Sequence, residues 1–271
     1  MASEDILTLP APPADARLAY GPDVQQFGEL RLPADGGAGP HPVVVLLHGG
    51  YWRARYDLAY FGHAAADLTA RGYATWNLEY RRVGNPDGGW PGMFLDVAAG
   101  MDHLRTLATQ HPLDLDRVVL LGHSAGGHLA LWLAARGRIN SASALYTANP
   151  LLPKAVVSLA GVLDLRQASA RHLSNDAVHE LLGGPPEQYP ERYAAASPAE
   201  LLPTGVPAIL IHGTGDSNVP YALSQDYADT ARNAGDDVEL VTLPGVGHFE
   251  IVDPRAPEWQ TVAQAVERAA R

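Results

Sequence analysis

The chain has 271 residues and no cysteine. Without cysteine, a protein has no disulfide bond, no thiolate zinc site, no Cys-ligated iron–sulfur cluster and no cysteine nucleophile. Basic residues are also few, because 19 Lys and Arg stand against 30 Asp and Glu, for a formal net charge of −11. Proteins that bind phosphate backbones or anionic lipid usually need a basic face, so we expect neither nucleic acid nor a membrane as a partner.

Long hydrophobic runs are missing as well. The longest apolar stretches cover residues 43–47, 129–135 and 155–163, well short of the roughly 20 residues that a membrane-spanning helix needs. The N-terminal segment has acidic residues early and no basic region followed by an apolar one, so no secretory signal is visible. We therefore expect a cytoplasmic protein.

Apolar runs of strand length alternate with helical patterns along the chain. Strands are predicted over 27–32, 42–48, 73–80, 117–121, 154–159, 208–211 and 238–243, and helices over 58–71, 94–109, 128–135, 221–233 and 257–270. The strands are apolar on both faces, which predicts an α/β protein with a mostly parallel sheet covered by helices on both sides. Residues 27–32 and the glycine-rich turn at 35–39 are expected to form an edge hairpin.

One segment departs from this alternation. Residues 165–202 carry two weak helical patterns on either side of the Gly-Gly-Pro-Pro sequence at 183–186 and are more polar than the rest. An excursion of this length inside an α/β chain is usually functional. We predict a single domain over 1–271 in which 165–202 is a small cap insertion above the strand ends. A surface insertion without contact to any site is the alternative.

Ser124 is the predicted nucleophile. It occupies the centre of Gly-His-Ser-Ala-Gly at 122–126, a G-x-S-x-G motif directly after a predicted strand and directly before a predicted helix. In that context the serine lies on a sharp, strained turn that lifts its hydroxyl above the sheet. The flanking glycines are needed because strand and helix approach too closely for a Cβ.

A serine hydroxyl needs a base, and the base needs an acid that orients it. In α/β proteins with this serine motif, both residues follow the serine in the chain, the acid first and the histidine after it. His248 lies in a glycine-lined loop after the last predicted strand and is the predicted base. Asp216 follows the strand at 208–211 and is the predicted acid. Asp164 is the competitor, interpreted as a helix-capping or turn residue. The other downstream histidines are interpreted as packing, surface or backbone-bonded residues: His128, His172, His179 and His212.

Charge stabilisation is predicted for the sequence His-Gly-Gly-Tyr-Trp at 48–52, which follows a buried strand. Its glycines free backbone N–H groups to point at a developing oxyanion. The predicted oxyanion hole comprises the N–H groups of Gly49, Gly50, Tyr51 and Ala125. Tyr51, Trp52 and Trp90 are predicted to bind substrate, with packing as the alternative for the two tryptophans. Tyr189 and Tyr193 of the insertion are further candidates for the pocket walls.

Four segments resemble one family: HGGYW at 48–52, GHSAGG at 122–127, HGTGDSNVP at 212–220 and LPGVGHF at 243–249. They are similar to α/β-hydrolases of the esterase and kynurenine-formamidase-like group. The resemblance implies an α/β-hydrolase fold with an eight-stranded sheet, a triad of Ser124, Asp216 and His248, and neither metal nor organic cofactor. HGGYW is similar to the motif of arylformamidases, although other esterases also carry an aromatic residue there.

These observations together predict a serine hydrolase that cleaves a small, fairly apolar carboxylic ester through an acyl-enzyme. An arylformamidase acting on N-formylkynurenine-type amides is the principal alternative. The C-terminal half also resembles prolyl-oligopeptidase-like peptidases, but the chain has no room for their large additional domain. An inactive hydrolase fold that only binds ligands is the remaining alternative. The expected partner is a small-molecule ester or amide, and the chain is expected to be a monomer or a homodimer.

Overall fold

A computed structural model describes residues 3–34 and 39–271. Its described part contains one eight-stranded sheet with the order β1-β2-β4-β3-β5-β6-β7-β8. The strands are β1 (Ala16–Ala19), β2 (Phe27–Arg31), β3 (His41–Leu47), β4 (Ala74–Leu78), β5 (Leu113–His123), β6 (Ala155–Leu159), β7 (Ala208–Gly213) and β8 (Val238–Leu243). The α-helices are α1 (Gly62–Ala70), α2 (Gly92–Asp102), α3 (Leu104–Leu107), α4 (Ala125–Ala134), α5 (Leu165–Ala170), α6 (Ala177–Leu182), α7 (Pro190–Ala196), α8 (Tyr221–Asn233) and α9 (Trp259–Ala270).

Strand pairing confirms the predicted, mostly parallel sheet. β4, β3, β5, β6, β7 and β8 are all parallel, whereas β2 runs antiparallel to both of its neighbours, β1 and β4. The edge hairpin that was expected around residues 27–32 consists of β1 and β2. The strand β2 lies between β1 and β4, so it does not pair with β3, the strand that follows it in the chain. Residues 35–38 of the predicted glycine-rich turn lie outside the described residues.

β3 shows why the central strands are apolar throughout. Val43, Val45 and Leu47 face one hydrophobic cluster, which includes residues of α2, α4 and α8. Val44 and Leu46 face the opposite cluster, which includes residues of α1 and α9. Burial of each such side chain contributes about 1.5–3 kcal/mol, so strands covered on both faces stabilise the sheet at nearly every position.

The segment 165–202 is helical and packs beside α4. It comprises α5, α6, α7 and a 3₁₀ turn, Pro198–Leu201. The Nε2 of His128 donates to the carbonyl of Ala196 over 2.9 Å, and the Nε1 of Trp132 donates to Ala195 over 2.9 Å. On its other side the Nε of Arg53 donates to Glu180 over 2.6 Å. The insertion is therefore hydrogen-bonded both to α4, the helix that follows the predicted nucleophile, and to the loop after β3.

The carboxyl ends of the parallel strands meet at one edge of the sheet. Leu47 is in register with Gly122, and Gly213 is in register with Leu243. The loops after β3, β5, β7 and β8 therefore start side by side. Open α/β sheets bind their ligands at this edge, so the fold brings the predicted site segments together.

Candidate active site

Ser124 lies at the sharp turn between β5 and α4. Its backbone has φ 56° and ψ −120°, a conformation that costs a non-glycine residue free energy and is typical of functional sites. The turn is narrow, because a Cβ on Gly126 would lie 1.9 Å from the carbonyl oxygen of Leu47. A Cβ on Gly122 would lie 2.1 Å from the carbonyl oxygen of Gly126. Only glycine fits at these two positions, as the motif predicts.

His248 and Asp216 form a short, buried hydrogen bond. The Nδ1 of His248 donates to Asp216 Oδ2 over 2.6 Å. The Oδ1 of Asp216 accepts the backbone N–H groups of Asn218 and Val219 at 2.8 and 2.9 Å. The Asp216 side chain is therefore held by its own loop in the position that orients the His248 ring.

Asp216 is ionised at neutral pH. Burial alone would raise the pKa of its carboxyl group, but hydrogen bonds from His212 and His248 outweigh burial and hold that pKa well below the usual range. The Nε2 of His212 lies 3.2 Å from Asp216 Oδ2. His212 also contacts the backbone, with Nε2 3.0 Å from the carbonyl oxygen of Val219, as predicted. With Nδ1–H directed at a carboxylate, the Nε2 of His248 is left as a proton acceptor.

The loop after β3 carries the predicted oxyanion donors, and the structure separates them. The Gly49 N–H donates to the hydroxyl of Tyr60 over 2.7 Å. Because this amide already has an acceptor, Gly49 is removed from the predicted oxyanion donors. Gly50 and Tyr51 have positive φ angles of 116° and 51°, and no described residue accepts a hydrogen bond from their N–H groups. As the first residue of α4, Ala125 has no intrahelical partner for its N–H.

Tyr60 and His123 are site residues that the sequence analysis missed. The Tyr60 hydroxyl lies 2.8 Å from His123 Nδ1, and His123 Nε2 lies 3.1 Å from the carbonyl oxygen of His248. A carbonyl only accepts, so Nε2 carries the proton and Tyr60 donates to Nδ1. Burial lowers the pKa of His123 well below its ordinary value, which keeps the ring neutral. His123 precedes the nucleophile in the motif, which was the one available signal.

Ser124 and His248 line the same small cavity. Its volume is about 40 Å³, and its described lining consists of Leu7, Gly50, Tyr51, Tyr56, Tyr60, His123, Ser124, Asn218, His248 and Phe249. Tyr51 also donates its hydroxyl to the carbonyl of Asn218 over 2.6 Å, which ties the loop after β3 to the loop that holds Asp216. The described lining includes no residue of the insertion 165–202.

Trp52 and Trp90, predicted to bind substrate, lie elsewhere. Trp52 is 1% exposed, and its Nε1 donates to His128 Nδ1 over 3.1 Å. The positive φ angles that precede it turn the chain back into the core, so Trp52 braces the loop. Trp90 lines a separate cavity of about 690 Å³ beside the insertion, and its backbone N–H donates to Leu181.

Tyr189 and Tyr193 also lie away from the catalytic cavity. The Tyr193 hydroxyl donates to the carbonyl of Gly184 over 3.0 Å, and the Tyr189 ring stacks under the guanidinium of Arg192. Both rings therefore stabilise the insertion itself. The side chain of Asp164 accepts the N–H groups of Arg166 and Gln167, which confirms its interpretation as a helix cap.

No group of His, Asp and Glu side chains suited to a metal ion occurs among residues 3–34 and 39–271. The helices of the same residues include none that is long and apolar enough to cross a membrane.

Comparison with known proteins shows that most of the chain is similar to proteins named as esterases. The BD-FAE family model matches residues 29–230. Esterase LipC of Mycobacterium tuberculosis is 27% identical over 255 residues, which cover 88% of this chain and 60% of that protein. Isoprenylcysteine alpha-carbonyl methylesterase ICME of Arabidopsis thaliana is 27% identical over 249 residues, covering 86% of this chain and 56% of that protein. The chain thus spans 60% or less of the length of these two relatives.

Solved structures share the α/β-hydrolase fold. A truncated carbohydrate esterase from gut microbiota superposes with a TM-score of 0.80 at 21% identity, over 95% of this chain and 99% of that one. Esterase Est2 of Thermogutta terrifontis, with propionate bound, superposes with a TM-score of 0.76 at 23% identity, over 94% of this chain and 93% of that one.

Proposed function

The chain belongs to the BD-FAE family, and we propose that it hydrolyses small, fairly apolar carboxylic esters through an acyl-enzyme on Ser124. One observation carries this proposal. The 2.6 Å hydrogen bond between His248 and ionised Asp216 lies beside a cavity that Ser124 and His248 both line. The esterase and methylesterase names of the two relatives support an ester as the substrate class.

In the first half-reaction, the Oγ of Ser124 attacks the ester carbonyl carbon while His248 Nε2 accepts the hydroxyl proton. Asp216 holds the ring in the required tautomer and stabilises the imidazolium that forms. The carbonyl oxygen becomes an oxyanion, for which the N–H groups of Gly50, Tyr51 and Ala125 are the proposed donors. Each such donor typically contributes about 10²–10³-fold to kcat.

The tetrahedral intermediate then collapses. The carbon–oxygen bond to the alcohol breaks, and the His248 imidazolium returns its proton to the leaving alkoxide. In the second half-reaction, His248 Nε2 accepts a proton from water, which attacks the acyl carbonyl. Collapse of this intermediate releases the carboxylic acid, and the Ser124 oxygen recovers its proton from His248.

Hydrolysis of p-nitrophenyl acetate tests the nucleophile directly. The Ser124→Ala variant is expected to fold normally and to lose on the order of 10⁵-fold or more in kcat, because triad members act as a unit. A fluorophosphonate probe is expected to label wild type and not the variant. A variant that keeps a tenth of wild-type activity would exclude Ser124 as nucleophile. A wild type that neither takes the label nor turns over would indicate a binding module.

An arylformamidase remains the second candidate, because formyl is the smallest acyl group and the cavity measures only about 40 Å³. Parallel measurement of kcat/KM for N-formylkynurenine and p-nitrophenyl acetate separates the two functions. We expect the ester to be preferred. A preference of tenfold or more for the formamide would show that the chain is an amide hydrolase that uses the same residues, and not an esterase.

A further inference from the structure

The N-terminal 3₁₀ helix, Ser3–Leu7, reaches the catalytic cavity. Ile6 is completely buried and anchors this helix in the cluster that also contains Phe61 and Ile251. The next residue, Leu7, is half-buried and lines the cavity together with Ser124. A segment remote in sequence from the triad therefore supplies one wall of the site.

Leu7 differs from the other lining residues in two ways. Within the described lining it is the one aliphatic side chain, among aromatic, polar and glycine residues. The helix that carries it lies outside the sheet and its catalytic loops. Among the described residues, no hydrogen bond joins Leu7 to Ser124, Asp216 or His248. The volume at position 7 can therefore change without displacing the residues proposed to perform the chemistry.

The size of the cavity sets a limit on the group that it holds. A cavity must offer about 10–15 Å³ to hold a single water molecule, so a cavity of about 40 Å³ suits a small group. An acetyl group, with three non-hydrogen atoms, is such a group. A longer acyl chain needs more room, and Leu7 is the aliphatic side chain of the described wall.

We propose that Leu7 determines acyl-chain length and restricts the site to acetyl-sized groups. The inference rests on the proposed ester hydrolysis. One methylene in an apolar pocket typically changes kcat/KM by about 10–200-fold, so a chain longer by several methylenes is excluded strongly when Leu7 is present. Shortening this side chain opens room for the acyl chain on the side where the N-terminal helix closes the cavity.

The test compares kcat/KM for p-nitrophenyl acetate, butyrate and hexanoate in wild type, Leu7→Ala and Leu9→Ala. Leu9 is the matched control, because it is also half-buried and packs on the same cluster, but does not line the cavity. We expect the hexanoate-to-acetate ratio of kcat/KM to rise by tenfold or more in Leu7→Ala and to stay within twofold of wild type in Leu9→Ala. A bulkier Leu7→Trp is expected to lower the butyrate-to-acetate ratio.

The outcomes separate this inference from the proposed function. If wild type hydrolyses no ester, the proposed function fails. If wild type is active but Leu7→Ala and Leu9→Ala have the same ratio, the assignment of Leu7 is overturned. Acetate esters of short and long alcohols supply a second comparison. A change confined to this alcohol series would show that Leu7 contacts the leaving group, which also overturns the assignment.

Discussion

The hydroxyl of Tyr60 accepts the N–H of Gly49 over 2.7 Å. The same hydroxyl donates to His123 Nδ1 over 2.8 Å, so one oxygen joins the loop after β3 to the residue that precedes the nucleophile. The two loops are in close contact, since a Cβ on Gly49 would lie 2.9 Å from the Cβ of Ser124. Tyr60 therefore holds the amides of Gly50 and Tyr51 at a set distance from Ser124.

Tyr60→Phe removes this oxygen and keeps the ring. The Gly49 N–H and His123 Nδ1 each lose a buried partner, and a buried unsatisfied group costs about 1–3 kcal/mol. We expect kcat on p-nitrophenyl acetate to fall by about tenfold while KM stays within twofold, because the oxyanion donors act mainly in the transition state.

Tyr56→Phe is the matched control, since Tyr56 lines the same cavity and its hydroxyl makes no hydrogen bond to any residue that the structure describes. Steady-state kinetics and thermal melts of both variants are the measurement. Equal kcat values for the two variants would show that the Tyr60 hydroxyl does not position the loop.

Asp216→Asn is expected to lower kcat by about 10⁴-fold, because an amide favours the wrong tautomer of His248 and stabilises no imidazolium. Asp164→Asn is the control, since the Asp164 side chain caps α5 by accepting the N–H groups of Arg166 and Gln167. Its kcat should stay within threefold of wild type, with stability lowered by about 1 kcal/mol at most. Kinetics and urea unfolding of both variants decide the matter, and the reverse ranking would move the acid to Asp164.

His128 makes stability depend on pH. Burial lowers the pKa of this histidine to about 4, and its Nδ1 accepts the Trp52 N–H over 3.1 Å, so the ring is neutral in the folded state. An unfolded histidine binds a proton below about pH 6.5. Between about pH 6.5 and 4 the unfolded state therefore binds more protons than the folded state, and the free energy of unfolding falls as pH falls.

Replacement of the titrating ring tests this dependence. Urea unfolding at pH 7 and pH 4.5 is expected to show a smaller loss of stability for His128→Gln than for wild type, by an amount on the order of 2 kcal/mol. His111→Gln is the control, because His111 is only half-buried whereas His128 is fully buried, and this variant should lose as much stability as wild type. Identical losses in all three proteins would contradict a neutral, buried His128.

Trp90→Ala is expected to leave substrate preference unchanged. Trp90 lines the cavity of about 690 Å³ beside the insertion, away from the described lining around Ser124. Its ring meets Phe94 at a centroid distance of 5.7 Å, so truncation should lower stability by about 1–3 kcal/mol. The kcat/KM ratios for acetate, butyrate and hexanoate esters are the measurement. A changed ratio at constant stability would show that Trp90 contacts the substrate.

The sequence by itself determined the sheet and the order of the site segments. Strands such as β3 are apolar on both faces. A continuous apolar run of strand length is visible in the local sequence, and burial on both sides of the sheet requires it. Gly122 and Gly126 are equally local, because the turn at Ser124 leaves no space for a Cβ. The start of β5 was less visible, because charged residues at 114, 116 and 117 obscure the apolar pattern of a strand that begins at Leu113.

Only the tertiary structure decided which neighbours complete the site. Tyr60 belongs to a 3₁₀ turn before α1, Leu7 to the N-terminal helix, and neither stands in a motif. The engagement of the Gly49 N–H and the inward turn of Trp52 depend on the same long-range contacts. A motif specifies backbone conformation over a few residues, whereas the partner of an N–H and the wall of a cavity depend on how distant segments are brought together when the chain folds.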